Sequence, residues 1–583
     1  MVLRVTLAHC KASNKTFNFS ILMTSIFLVQ DSSLALGSPQ FSDSRVAKLA
    51  LVEGVLPAWR ESLATKGTRA PSLVMGDFAV GLREPGGRAF LAVDRFSIRS
   101  LCYRVVDGEL LFAASANELA NANTQVDPQA IFDYLYFHVI PSPRTIYKDI
   151  FRVPPGHYVL FENGQLTVAP YWVPAFEEQQ GVSFNDLKDE FKQLLRDAVT
   201  TQLDGSKPAC FLSGGTDSST VAGMATLASG KTTATYSIGF DAQGYDEMEY
   251  ARLASKHFQT EHHEYYVTPD DLVRSIPSVA AHYDQPFGNS SALPAYYCAK
   301  MAQEDGVSKL LAGDGGDELF GGNTRYAKQK IFGWYGSIPA TLRTGLLEPI
   351  SSFSFLSQVP LARKAASYVN QAKVPMPDRL MTYNLLFRLG VQAMLTPELL
   401  AQVDQQGPSQ QQRGLWKQAG TDNLVNRMLA FDWRYTLADC DLPKVVGTTA
   451  LAGVKVGFPM LDDRLLAFSQ KLPPDYKLKG FQLRWFFKEA LRGFLPDAVI
   501  TKKKQGFGLP FGIWANTHPA LKTLATDSLN SLATRGVVRR DFVKTLIFQH
   551  LPEHPGYYGE MVWILMMLEQ WLAANAPKFS LIR

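Results

Sequence analysis

Between residues 37 and 172 the chain is a series of short apolar runs broken by turn residues, at 72–80, 88–93, 108–113 and 156–161, the last closed by Asn163-Gly164. Runs of this length bounded by Gly, Asn and Ser read as strands, and Asn-Gly is a two-residue hairpin signal. A polar stretch without periodicity follows at 173–183 and reads as a linker. The period then changes. Leu187, Phe191, Leu194, Leu195 and Val199 fall on one helical face, so an amphipathic helix is expected from residue 184. Strands at 209–212, 233–239, 263–267 and 309–312 then alternate with helices from 218, over 247–258, and along the stripe Leu272, Ile276, Val279, Ala280 and Tyr283. This alternation predicts a parallel sheet with ligands at the carboxyl ends of its strands. Beyond 323 the chain reads as helices with Pro-rich joins.

The first residues are ambiguous between two patterns. Residues 17–29, behind Lys11 and Lys15, imitate a short signal peptide, whereas 23–30 also fits a buried first strand, the reading preferred here. The expected organisation is a leader or disordered extension at 1–36, a strand-rich domain at 37–175 and an α/β domain at 185–575.

Composition narrows the function classes. Lys+Arg 58 against Asp+Glu 54 leaves a net charge of +4, without the clustered basic excess of a nucleic-acid binder. No apolar run reaches the roughly 18 residues of a spanning helix, so no membrane partner is expected. Cys10, Cys102, Cys210, Cys298 and Cys440 are scattered and never spaced C-x-x-C, which argues against a disulfide framework or zinc ribbon and for a reducing, cytoplasmic setting.

Two segments carry chemistry. Phe211-Leu-Ser-Gly-Gly-Thr-Asp-Ser-Ser219 runs from a buried strand through a Ser/Gly loop into a helix, an anion cradle of backbone N–H groups. It lacks the G-K-[ST] ending of a Walker A loop. Asp217 within such a cradle would repel phosphate unless a divalent cation bridged them, so the pattern points to a Mg²⁺ polyphosphate site. Leu311-Ala-Gly-Asp-Gly-Gly-Asp-Glu-Leu-Phe-Gly-Gly322 likewise follows a strand and sets Asp314, Asp317 and Glu318 among glycines, suited to a metal ion or an incoming amine. His138, His157 and His282 read as structural.

Together with Tyr236-Ser-Ile-Gly-Phe240, Tyr245-Asp-Glu247, His262-His263, Asp284-Gln-Pro-Phe287 and Lys504-Gln-Gly-Phe-Gly508, these segments resemble the synthetase domain of the asparagine synthetase family over about residues 185–575. The resemblance implies an N-terminal Ntn-hydrolase-like sandwich followed by a parallel-sheet ATP pyrophosphatase domain with a helical C-terminal part. It also implies ATP and Mg²⁺: a small carboxylate, aspartate or a relative, is adenylated and an amine then displaces AMP. Ser213, Gly214, Gly215 and Ser218 would hold pyrophosphate, Asp217 and Asp317 the Mg²⁺, and Leu212 and Ile238 the adenine. Ala312 and Gly313 would line the AMP end, Asp314 would support amine attack and Lys504 would neutralise phosphate charge. Lys502 and Lys503, by contrast, read as a solvated basic turn.

Two departures qualify the resemblance. The family's mature chain begins with a cysteine that attacks glutamine, and neither Met1-Val2 nor Met23-Thr24 exposes one, nor do the first 80 residues carry the family's glutamine-gripping motifs. Gly76-Asp-Phe-Ala-Val-Gly-Leu82, Asp94-Arg-Phe-Ser-Ile-Arg-Ser-Leu101 and Val153-Pro-Pro-Gly-His-Tyr158 resemble only the later half of that domain. A degenerate glutaminase-like domain is therefore expected, with ammonia or another amine as nitrogen donor; a separate amine source and a homodimer are compatible with this. Secondly, an Arg and a Glu-x-Arg usual in the family fall on Gly447, Lys455 and Gly457, which is expected to alter the substrate end. The alternatives are a β-lactam or macrolactam (peptide-cyclising) synthetase and a weakly active nucleotide-binding scaffold. A tyrosine takes the position of Asp314 in the β-lactam branch, which speaks against that branch.

Overall fold

The computed structural model describes residues 33–179, 181–342, 360–503 and 508–582. The expected strand at 23–30, Cys10 and Lys504 lie outside the described residues.

Alternating side chains build the N-terminal region as layers. Its main sheet is antiparallel, in the order Leu34–Gly37, Phe78–Arg83, Ala89–Val93, His157–Glu162 and Gln165–Pro170. Ala79, Leu91 and Val93 face a second sheet formed by Glu109–Ala113, Cys102–Val106 and Phe151–Arg152, where they meet Tyr103 and Leu110. Phe78, Val80, Leu82, Phe90 and Ala92 point the other way, onto Trp59 and Leu63 of the helix Val55–Lys66. This order of helix, sheet and sheet is the Ntn-hydrolase-like sandwich.

Local chemistry explains where expectation and structure differ. The edge strand begins at Leu34, within the segment assigned to a leader or disordered extension, and pairs with Phe78–Arg83. The run at 72–80 is not one strand: Gly76, at φ 83°, breaks it into Val74–Met75 and Phe78–Arg83. Asn163 and Gly164, with φ 51° and 74°, form the expected tight turn of the final hairpin.

The second region holds a five-stranded, all-parallel sheet in the order Glu261–Val267, Ala234–Phe240, Ala209–Phe211, Lys309–Leu311 and Lys455–Gly457. Its fifth strand has no signal in the sequence, because three residues containing a lysine and a glycine give no apolar run. Ala209–Phe211 has a sequence-later strand on each side, so chain direction across the sheet reverses there. The loops leaving Ala209–Phe211 and Lys309–Leu311 both line a crevice at the carboxyl ends of the sheet. A helical C-terminal part closes the fold. The helix Pro555–Asn575 is apolar on all sides and buried from Met561 to Leu568. Among the described residues no helix is long and apolar enough to cross a membrane.

The two regions share packing, and Ser33 to Arg583 form one compact unit. Trp172 and Phe176 stack on Trp433 with ring centroids 6.1 and 5.3 Å apart. Arg152 Nη2 donates to both carboxylate oxygens of Asp284 at 3.0 Å, and Arg95 pairs with Asp463 at 2.9 Å. Under Phe176 lies Lys477, fully buried, whose Nζ donates to Asn426 Oδ1 at 2.8 Å while Asn426 donates to Glu178.

Burial pushes the Lys477 ammonium down to about 7, with Glu178 opposing. From about pH 7 to the ordinary lysine value the unfolded chain therefore binds a proton that the folded chain lacks. Stability rises with pH across that window, by about 1.4 kcal/mol per unit for one proton. Lys477→Met should flatten this slope when unfolding is followed from pH 7 to 9.5, and an unchanged slope would show that another group sets it.

Candidate active site

The loop after Ala209–Phe211 enters the helix Thr216–Ser229 through Gly215, whose missing side chain leaves the first-turn N–H groups without a side-chain cap. Ser213 donates its N–H to Ser218 Oγ at 3.1 Å, and the two hydroxyl oxygens lie 3.0 Å apart, which closes the turn. Beside it, Gly313 packs directly on the loop's backbone: a Cβ there would lie 2.6 Å from Ser218 N. The two loops are thus held backbone to backbone, as their places on adjacent strands require.

Both loops line a cavity of about 990 Å³, roomy enough for a nucleotide and an acceptor. Leu212, Ser213, Gly215, Asp217, Ser218, Ile238, Gly313, Asp314 and Asp317 line it. Gly214 and Ala312 do not: Gly214 is turned against Tyr250 and Ala251, and Ala312 is buried with its N–H donating to the Gly457 carbonyl at 2.9 Å.

Arg484, unremarked in the sequence, joins the two loops. Its Nη1 donates to Asp217 Oδ2 and to Asp317 Oδ1, each at 2.8 Å, and to Thr216 Oγ1 at 3.0 Å; its Nη2 donates to Asp217 Oδ1. Burial opposes the guanidinium charge, but Asp217 and Asp317 outweigh it and hold the group protonated.

A second charged group lines the same cavity. Lys444 Nζ lies 3.4 Å from Asp314 Oδ1 and 3.2 Å from Asp441 Oδ1. Burial raises the Asp314 carboxyl above the ordinary carboxylate range, partly offset by Lys444. Burial likewise disfavours charge on Lys444, yet Asp441 and Asp314 overcome it. Asp314 does not cap the following short helix, Gly316–Phe320, whose N-cap is Gly315 without a side-chain bond.

Further along the rim, Lys502 departs from the solvated turn expected of it. It pairs with Glu247 at 2.9 Å, lies over the Tyr250 ring and lines the cavity with Lys503 and Lys488. Gly447, Lys455 and Gly457 were expected near the substrate end, but none lines this cavity. A Cβ at Gly447 would meet the Tyr283 ring at 2.4 Å, so Tyr283 fills the space beside the helix Leu442–Ala452 and donates its hydroxyl to the Lys444 carbonyl at 3.1 Å. Lys455 is exposed, and Gly457 faces Gln202. His138 closes the helix Pro128–Phe137, with burial pushing its imidazole down to about 4.

An anion cradle and paired carboxylates at the switch point of a parallel sheet, joined to an Ntn-hydrolase-like sandwich, define the class of ATP-dependent amidotransferases and synthetases. A family model described as asparagine synthase matches residues 190–573, one described as glutamine amidotransferase domain matches residues 55–172, and the chain belongs to the asparagine synthase family. It is 24% identical to asparagine synthetase [glutamine-hydrolyzing] 1 of Bacillus subtilis over 84% of this chain and 75% of that protein. It is also 23% identical to amidase chyE of Penicillium rubens over 81% of this chain and 76% of that protein.

Proposed function

We propose that the chain is an ATP-dependent, AMP-forming amide ligase that adenylates a small carboxylate and transfers the acyl group to ammonia or an amine. The observation that carries this reading is one cavity holding two charge centres: Asp217 and Asp317 joined by Arg484, and Asp314 with Lys444.

The first centre suits Mg²⁺ and polyphosphate. Asp217 and Asp317 offer the hard oxygen donors that Mg²⁺ prefers, and both already share one cationic partner in Arg484. Bound Mg²⁺ would withdraw charge from the phosphates during displacement of pyrophosphate. Ser213, Gly215 and Ser218 would orient the polyphosphate with backbone N–H and hydroxyl donors, Leu212 and Ile238 would flank the base, and Lys504 would neutralise phosphate charge. In the second half-reaction the amine nitrogen bonds to the acyl carbon, AMP leaves and the nitrogen loses a proton; Asp314, its basicity raised by burial, would accept it.

Glutamine is not the nitrogen source in this reading. Glutaminase chemistry needs an activated thiolate, and burial pushes the thiols of Cys102 and Cys440 up to about 12 and those of Cys210 and Cys298 up as well. The purified chain should release no glutamate from glutamine yet form amide with ammonium. Glutamate release abolished by a thiol alkylator would refute the nitrogen assignment, and mass spectrometry of the mature N-terminus would show whether Cys10 had been exposed. The ligase reading itself is tested by ATP–pyrophosphate exchange across a panel of carboxylates, where absence of exchange with every acid would overturn it.

A further inference from the structure

We infer that Lys444 is a positioning residue for amide formation: it holds one carboxylate oxygen of Asp314, while Asp441, by sharing the same ammonium, keeps Asp314 able to take the proton of the amine. The inference rests on the reading of Asp314 as the group that accepts that proton.

The lysine is built in between two carboxylates. A π-helical stretch, Trp433–Asp441, runs directly into the helix Leu442–Ala452, and its wider turn re-phases the side chains that follow. Asp441 and Lys444 leave this junction three residues apart on one face, with Lys444 Nζ 3.2 Å from Asp441 Oδ1 and 3.4 Å from Asp314 Oδ1. The Lys444 carbonyl accepts from the Tyr283 hydroxyl at 3.1 Å and from Thr448 Oγ1 at 2.8 Å, which fixes the backbone beneath the side chain.

The two carboxylates are not equivalent. Asp441 has the shorter contact and a second donor, Asn289 Nδ2 at 3.4 Å, whose amide also reaches Cys440 Sγ at 3.3 Å. Among the described residues no side chain other than Lys444 donates to Asp314. Lys444 therefore steadies one oxygen of Asp314 and leaves the other to a substrate amine. A lysine given wholly to Asp314 would hold it as a carboxylate too weak to take a proton; divided with Asp441, it orients Asp314 and spares its basicity. Charge follows the same asymmetry: burial raises the Asp314 carboxyl, Lys444 lowers it and Asp441 raises it again. Burial pushes the neighbouring Cys440 thiol up to about 12, raises the Tyr283 phenol packed on this helix and lowers the His282 imidazole beside Gly447, so none of the three adds charge at neutral pH. An ion pair that only joined two loops would make Asp314 and Asp441 interchangeable.

Amide formation at saturating amine, measured against pH with the full-length protein, tests the arrangement. Lys444→Met should move the acid limb to higher pH by about one unit, because Asp314 loses the charge that opposes its protonation. Asp441→Asn should move the limb to lower pH, because the whole ammonium then falls to Asp314. Lys444→Arg, which keeps the charge, should stay close to wild type. Arg484, Asp217, Asp317 and Lys488 line the same cavity and are common to every variant, as is the protonation of the amine itself, so opposite shifts report Lys444 and Asp441. The same order should appear without turnover. Carbodiimide with glycine ethyl ester labels protonated carboxyls, and the pH at which labelling of Asp314 falls off, read by peptide mass spectrometry, should rise in Lys444→Met and drop in Asp441→Asn. Shifts in one direction for both variants, or none in either, would overturn the inference while pyrophosphate exchange by wild type still supports the ligase reading. If Lys444→Met does not fold, labelling of Asp441→Asn against wild type decides. A folded wild type that exchanges pyrophosphate with no carboxylate would instead overturn the ligase reading, and the inference with it.

Discussion

Asp217→Asn should lower ATP–pyrophosphate exchange by on the order of 10³-fold while leaving the fold intact, because the substitution removes a charge but keeps an acceptor for Arg484. The position allows no ready substitute. Asp217 lies in the first turn of Thr216–Ser229, where the helix N-terminus favours anions, so a carboxylate there repels the very phosphates the cradle attracts unless a cation stands between them. Asp317 reaches the same place from the other loop through a glycine-rich turn, and Asp317→Asn should give a loss of similar size. Wild-type exchange by folded Asp217→Asn would show that polyphosphate is held without a bridging ion at this carboxylate. Circular dichroism and the unfolding midpoint separate loss of chemistry from loss of structure.

The sequence made the two loops readable because each is local. Buried strand, Ser/Gly turn and helix start follow one another within eleven residues at Ala209–Ser219, and the same logic places Asp314 and Asp317 after Lys309–Leu311. Arg484 could not be read that way. Its acidic partners are 267 and 167 residues distant in the chain, and the surrounding Gly480-Phe-Gln-Leu-Arg-Trp-Phe-Phe487 carries no charge pattern. Lys444 stood in a stretch noted for what it lacked, and its meaning comes only from contact with Asp314 across 130 residues. Lys502 departs from expectation because a run of three lysines is ordinarily solvated, whereas here Glu247 and the Tyr250 ring draw the first of them inward. The fifth strand, Lys455–Gly457, owes its state to pairing with Lys309–Leu311 and not to its own residues.

The N-terminal sandwich also bears on the site. Asp284, in a segment read as part of the synthetase motif set, spends its carboxylate on Arg152 and on the Ala116 N–H at 3.3 Å. Trp571 Nε1 donates to the carbonyl of neighbouring Tyr283 at 2.9 Å, and the Tyr283 hydroxyl donates to the Lys444 carbonyl. The junction is therefore connected by direct contacts to the backbone that carries Lys444.

That connection sharpens what Asp314→Asn should do. In the proposed reaction adenylation would use the cradle and the Asp217–Asp317 side, which the substitution leaves untouched, so pyrophosphate exchange should remain close to wild type. Amide formation should fall by roughly 10²- to 10⁴-fold, the range for a positioned acid–base group. Asn is isosteric but cannot take the proton that the attacking amine must lose, and Lys444 would keep its charge through Asp441. A purely structural role as helix cap predicts the opposite, since Asn caps as well as Asp, and the cap position of Gly316–Phe320 belongs to Gly315. The pH profile adds a second readout. Because burial raises the Asp314 carboxyl above the ordinary range, amide formation in the wild type should decline on acidification at a higher pH than an ordinary aspartate would set, and the Asn variant should lose that limb. Equal amide-forming rates for wild type and Asp314→Asn under saturating amine would assign the proton to solvent or to the amine donor itself.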